Sequence, residues 1–137
     1  MAELPIMITK GVKQLCEEAE AIIETWSIDE AKEYLEDDDV VFVDIRDIRE
    51  LWRDGAIPGA LHAPRGMLEF WVDPNSPYAR DVFQSGKRFM FFCAGGFRSA
   101  LAARTVHEMG LGPVCHMAGG FAAWAKEGLP TEPKQRK

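Results

Sequence analysis

The residues of this sequence whose types and spacing could do covalent chemistry are Cys93-Ala94-Gly95-Gly96-Phe97-Arg98-Ser99. They follow the apolar run Arg88-Phe89-Met90-Phe91-Phe92 and precede a helical pattern from Ala100 to Met109, an order that reads as strand, tight loop, helix. In such a turn the loop N–H groups converge on a centre toward which the helix directs its positive end, so the loop should bind an anion. A thiol placed there is favoured as thiolate, which makes Cys93 the candidate nucleophile and Arg98 the neighbouring cation. Gly95 and Gly96 permit close backbone approach, Phe97 offers an apolar wall, and Arg98 can grip an oxyanion through two hydrogen bonds. The N–H groups from Ala94 to Ser99 would then hold an anionic intermediate on Cys93.

Other reactive side chains read more simply as structure. Cys16 falls on an apolar helical stripe and Cys115 inside a strand pattern, so packing explains both. Asp44 and Arg46, at a strand end beside a helix start, suit caps and ion pairs that support the loop. His62, His107 and His116 lack ligand spacing and read as structural or solvated, and no histidine neighbours Cys93 in sequence. Trp26, Trp52, Trp71 and Trp124 have no basic residues interleaved with them and read as core or edge aromatics. Arg65, just past a short strand, either reaches the mouth of the site or faces water.

The positioning elements follow from periodicity. Residues 11 to 24 carry Val12, Leu15, Cys16, Ala19, Ile22 and Ile23 on one stripe, which predicts an amphipathic helix. Thr25-Trp26 suits a short strand. Ser27 with Glu30 has capping-box spacing and opens a helix expected to end near Leu35-Glu36-Asp37. Val40-Val41-Phe42-Val43-Asp44 reads as a strand covered on both faces, with further strands at 60–62, 88–92 and 113–117. Helical patterns at 47–54, 67–72 and 99–109 alternate with them, and Gly110 stands where a helix C-terminus wants glycine. Alternating strands and helices mean α/β. The stretch from Met67 to Gly86 is long for a connection and could cover the pocket or meet another subunit.

Composition sets the bounds. A chain of 137 residues, 47% hydrophobic and 28% charged, has apolar material for one core and one domain. Its net charge of -6 repels a phosphate backbone and disfavours nucleic acid as a partner. The start lacks a signal-peptide pattern and no segment is apolar enough to span a bilayer, so a cytoplasmic location without membrane attachment is expected. Three widely spaced cysteines suggest neither a disulfide framework nor a zinc site.

Cys-x4-Arg after a central strand resembles the active-site loop of the rhodanese family. Val43-Asp44-Ile45-Arg46-Asp47, Glu50 and Gly55-Ala56-Ile57-Pro58-Gly59-Ala60 are similar to the first signature of that family. Gly119-Gly120-Phe121-Ala122-Ala123-Trp124 is similar to the second. Ala56 departs from the pattern, where histidine is usual. The resemblance implies a rhodanese-like three-layer α/β domain, its central, mainly parallel five-stranded sheet flanked by helices. It divides the chain into an N-terminal helical extension (1–24), the domain (25–130) and a polar, frayed tail (131–137).

It also implies a sulfurtransferase in which Cys93 takes a sulfane sulfur from a small anionic donor such as thiosulfate and passes it to a thiol, a protein acceptor or cyanide. No metal or organic cofactor is implied. Attack on thiosulfate expels sulfite, a stable anion that needs no proton from a general acid. Phosphatases of the same fold space Cys and Arg by five residues rather than the four found here, which favours sulfur over phosphorus. A non-catalytic binding or sulfur-sensing module is the remaining alternative, against which Cys93 and Arg98 both argue. The N-terminal helix must bury its stripe against its own body or a partner's, so a homodimer is a further expectation.

Overall fold

Residues 7–136 are described in a computed structural model. Met1 to Ile6, the start of the expected N-terminal extension, and Lys137 at the end of the tail lie outside the described residues. The strands are β1 (Glu24–Trp26), β2 (Val40–Asp44), β3 (Leu61–His62), β4 (Arg88–Phe92) and β5 (Val114–Met117). They form one sheet in the order β1-β5-β4-β2-β3, and every pairing is parallel. The helices are α1 (Val12–Ile22), α2 (Ile28–Lys32), α3 (Ile48–Asp54), α4 (Leu68–Val72), α5 (Phe97–Glu108) and α6 (Gly120–Lys126). None of them is long and apolar enough to cross a membrane.

Strand alternation sorts the core into two layers. Phe89 and Phe91 of β4 face one side, with Val43, Leu68, Phe83, Ala102, Ala103 and Val106. Met90 and Phe92 face the other, with Phe42, Cys115, Met117, Phe121 and Trp124. Both faces of the central strands are covered, as their continuous apolar runs require. Each fully buried aromatic of β4 contributes roughly 1.5–3 kcal/mol by leaving water. β4 therefore fixes firmly the point at which its C-terminal end delivers Cys93.

Two helices begin with reciprocal caps. Ser27 and Glu30 close the capping box of α2, and Asp47 and Glu50 that of α3. α2 stops at Lys32 rather than near Asp37, because Glu33 and Tyr34 bond to the carbonyls of Glu30 and Ala31, three residues back, and the chain continues as turns. Tyr34 then stacks on Trp26 with ring centroids 4.4 Å apart.

The 67–86 connection is not a loose cover. A 3₁₀ turn (Arg65–Met67), α4 and a second 3₁₀ turn (Asp81–Gln84) sink Leu68, Val72 and Phe83 into the core. The tail, expected to fray from Thr131, is held at Glu132. Its N–H and C=O exchange hydrogen bonds of 2.8 Å with Ala56, and the Trp124 indole donates to the Pro130 carbonyl at 2.8 Å. Ala56, the departure from the signature, thus takes part in the fold through its backbone.

Candidate active site

Cys93 extends the alternation of β4 by one step and joins the face of Phe89 and Phe91, beneath α5. It is 1% exposed. The chain then turns through Gly96, whose φ of 101° is left-handed and whose Cβ, if present, would lie 3.1 Å from the Gly119 nitrogen. This turn directs the Gly96 N–H at Cys93 Sγ, 3.2 Å away, and starts α5 at Phe97, inside the loop rather than after it. The thiol therefore receives a backbone donor at the positive end of a helix of 12 residues.

A second strand-to-helix turn clamps the loop from beneath. Phe121 N–H donates to the Cys93 carbonyl at 2.8 Å and Ala122 N–H to the Ala94 carbonyl at 3.0 Å. Gly120, at φ 59°, leaves space for this approach; a Cβ there would collide with the Cys93 carbonyl oxygen and lie 2.7 Å from the Ala94 carbonyl carbon.

Arg98 stands over the loop but is held by Glu50, to which it donates at 2.9 and 3.0 Å. The Arg98 guanidinium in turn holds the Glu50 carboxyl below the usual carboxylate range. Glu50 also caps α3, so one carboxylate ties α3 to the head of α5. Phe97 is exposed and lines the cavity between α1 and the loop.

Asp44 and Arg46 form a buried ion pair, with the guanidinium on both carboxylate oxygens at 2.7 to 3.2 Å. Arg46 also donates to the Gly55 carbonyl at 2.9 Å and lies over the Phe121 ring at 4.1 Å. It braces β2 against α6, a supporting role. His62 bonds the Arg46 carbonyl at 2.7 Å, and Arg65 is engaged by Glu69 at 2.7 Å within its own short helical segment. Burial pushes the Cys115 thiol up to about 12, and burial with nearby Glu20 raises that of Cys16.

His116 is buried rather than solvated, and both of its ring nitrogens are engaged. Ser99 Oγ lies 3.7 Å from Cys93 Sγ, 3.3 Å from the Gly96 carbonyl and 3.0 Å from His116 Nδ1. His116 Nε2 in turn lies 2.9 Å from Glu20 Oε2 on α1. A histidine is therefore one hydroxyl away from the thiol, although 23 residues on in sequence. Burial pushes its pKa down, against the opposing pull of Glu20. The available signal was parity: His116 shares the face of Val114, and β5 lies beside β4.

A cavity of about 250 Å³ separates α1 from the loop and is lined by Lys13, Cys16, Glu20, Gly96, Phe97 and His116 among others. A larger opening of about 380 Å³ lies elsewhere, between α4 and the end of α5, and has neither thiol nor cation in its lining.

The model of the rhodanese-like domain family matches residues 27–127. A protein of Allochromatium vinosum named a sulfurtransferase is 36% identical over 93 residues, covering 68% of this chain and 78% of its own. A solved structure from Rhodopseudomonas palustris, of unknown function and named a possible tyrosine phosphatase, is 53% identical with a TM-score of 0.91, covering 95% of this chain and 100% of its own. The polysulfide-sulfur transferase homodimer of Wolinella succinogenes is 29% identical with a TM-score of 0.67, covering 90% of this chain and 88% of its own.

Proposed function

Since the chain belongs to the rhodanese-like domain family, we propose that it is a sulfurtransferase that carries sulfane sulfur as a persulfide on Cys93. The observation that carries this reading is the Gly96 N–H aimed at Cys93 Sγ, 3.2 Å away, at the head of α5. The thiolate attacks the outer sulfur of thiosulfate or a related anion. One S–S bond forms, the sulfur–sulfur bond of the donor breaks, and sulfite leaves with the electron pair. A thiol acceptor, or cyanide, then attacks the outer sulfur of the persulfide and releases the Cys93 thiolate. The N–H groups from Ala94 to Ser99 stabilise the anionic persulfide, and Arg98 draws the donor to the loop mouth. Residues 25–130 form the transferase domain in this reading.

A phosphatase is the second reading, favoured by the description of the Rhodopseudomonas palustris structure. One feature counts against it. Four residues, not five, separate Cys93 from Arg98. The discriminating experiment gives the purified protein thiosulfate with cyanide in one set of assays and an aryl phosphate in another, each beside Cys93→Ser. Thiocyanate formation lost in the variant supports sulfur transfer. Aryl phosphate hydrolysis without thiocyanate would replace that reading with the phosphatase.

A further inference from the structure

α1 brings a carboxylate to the site from outside the residues that match the family, since Glu20 precedes residue 27. Its partner His116 is 1% exposed, a buried titratable group that the sulfur-transfer steps above do not use. From Cys93 Sγ through Ser99 Oγ and His116 to Glu20, the contacts of 3.7, 3.0 and 2.9 Å form an unbroken chain. We propose that Ser99, His116 and Glu20 are a proton relay that receives the Cys93 proton as the thiol ionises, with Glu20 positioning and charging the imidazole. The proposal rests on Cys93 being the reactive thiol.

The direction of each bond follows from the chemistry of the groups. A carboxylate only accepts, so Nε2 of His116 carries the ring proton and donates it to Glu20, which leaves Nδ1 as an acceptor. The one Ser99 hydroxyl proton has two acceptors in reach, the Gly96 carbonyl at 3.3 Å and Nδ1 at 3.0 Å; in the relay it goes to the nearer, Nδ1, while the Ser99 oxygen accepts from the Cys93 S–H. On ionisation the S–H bond breaks and Ser99 takes that proton while passing its own to Nδ1. The products are a thiolate, an unchanged hydroxyl and an imidazolium paired with the Glu20 carboxylate. No electron is gained or lost, and the reverse transfer restores the thiol.

Burial opposes the imidazolium, and Glu20 is the group that compensates it. The other ionisable groups around the chain are Lys13, Cys16 and Glu17 of α1, which line the same cavity, and Arg98 of α5, which is tied to Glu50 of α3. The strands flanking β5 place Thr25 and Phe91 opposite His116, and neither is charged. Glu20 is the acid bonded to the imidazole, so its removal should be felt at the thiol.

The test is the rate of Cys93 alkylation by iodoacetamide against pH, read on the Cys93 peptide by mass spectrometry. Wild type, Glu20→Gln, Glu20→Asp, Ser99→Ala and Glu20→Gln/Ser99→Ala are compared. The Glu20 side chain is 41% exposed, so its exchange for glutamine leaves the core untouched. Glu20→Gln should move the midpoint up by about one pH unit, and Glu20→Asp should restore part of it. Ser99→Ala should shift it similarly, and the double variant should add nothing further, since the two residues act through one chain. Superimposable profiles for wild type and Glu20→Gln, or additive shifts in the double variant, would overturn the relay. Thiosulfate loading measured on the same samples separates the two claims. A wild type that takes up no sulfur but shows the shifted profiles retains the relay and loses the thiosulfate donor.

Discussion

Phe121 donates its backbone N–H to the carbonyl of Cys93 at 2.8 Å, so the first turn of α6 fixes the start of the loop that follows β4. The second family signature is thus a clamp on the active loop, and its glycine makes the approach possible. Gly120→Ala should lose about 2 kcal/mol or more, from left-handed strain and from collision with the Cys93 and Ala94 carbonyl groups. Thermal unfolding should show a fall in Tm on the order of 5–10 °C. An unchanged Tm would mean that the clamp is not structurally required.

Asp44 and Arg46 are each about 1% exposed and pair with one another through Arg46 Nε and Nη2, while the buried Arg46 Nη1 has no partner among the described residues. Asp44→Asn leaves a buried guanidinium uncompensated and should cost about 3–5 kcal/mol in urea unfolding. The paired replacement Asp44→Leu/Arg46→Met should cost less than the single change. A larger loss in the double variant would contradict a role in which the two charges chiefly answer each other.

Arg98 and Glu50 are a partly exposed pair, with side chains 46% and 18% exposed. Arg98→Ala should therefore change stability by less than about 1 kcal/mol. Loss of its attraction for an anionic donor should raise KM for thiosulfate on the order of tenfold or more, with a smaller effect on kcat. Steady-state kinetics that show an unchanged KM would remove Arg98 from the donor site.

His116 couples the site to stability through pH. Burial lowers its folded pKa below the unfolded value of about 6.5, so below that pH the unfolded chain binds more protons than the folded one. The His116 contribution is then fully present above about pH 6.5 and is lost as pH falls through the lowered folded value. His116→Asn should flatten the dependence of unfolding free energy on pH as it falls below the unfolded value of about 6.5. An unchanged slope would show that His116 is not the group responsible.

Much of this was legible from the chain because the signals are local. The runs Val40 to Val43 and Phe89 to Phe92 are apolar throughout, as a strand covered on both faces requires. The strand-loop-helix order at Cys93 was legible for the same reason, without any long-range contact. What escaped depends on distance: Glu20 and His116 are 96 residues apart and meet only because β5 joins the sheet beside β4 while α1 packs against α5. The start of α5 inside the loop was hidden for a different reason, because Gly96 adopts a left-handed conformation that residue type permits but does not announce. The anchoring of the tail escaped too, as Glu132 and Ala56 bond through backbone groups that carry no sequence pattern.

The measurement closest to the central claim is intact-protein mass spectrometry before and after exposure to thiosulfate, with wild type and Cys93→Ser in parallel and cyanide added last. The account predicts that the wild type gains the mass of one sulfur atom, localised to the Cys93 peptide, and loses it to cyanide as thiocyanate, while the variant gains nothing. Sulfur uptake by Cys93→Ser equal to that of wild type, or no uptake by a wild type whose Cys93 is free and reduced, would contradict it.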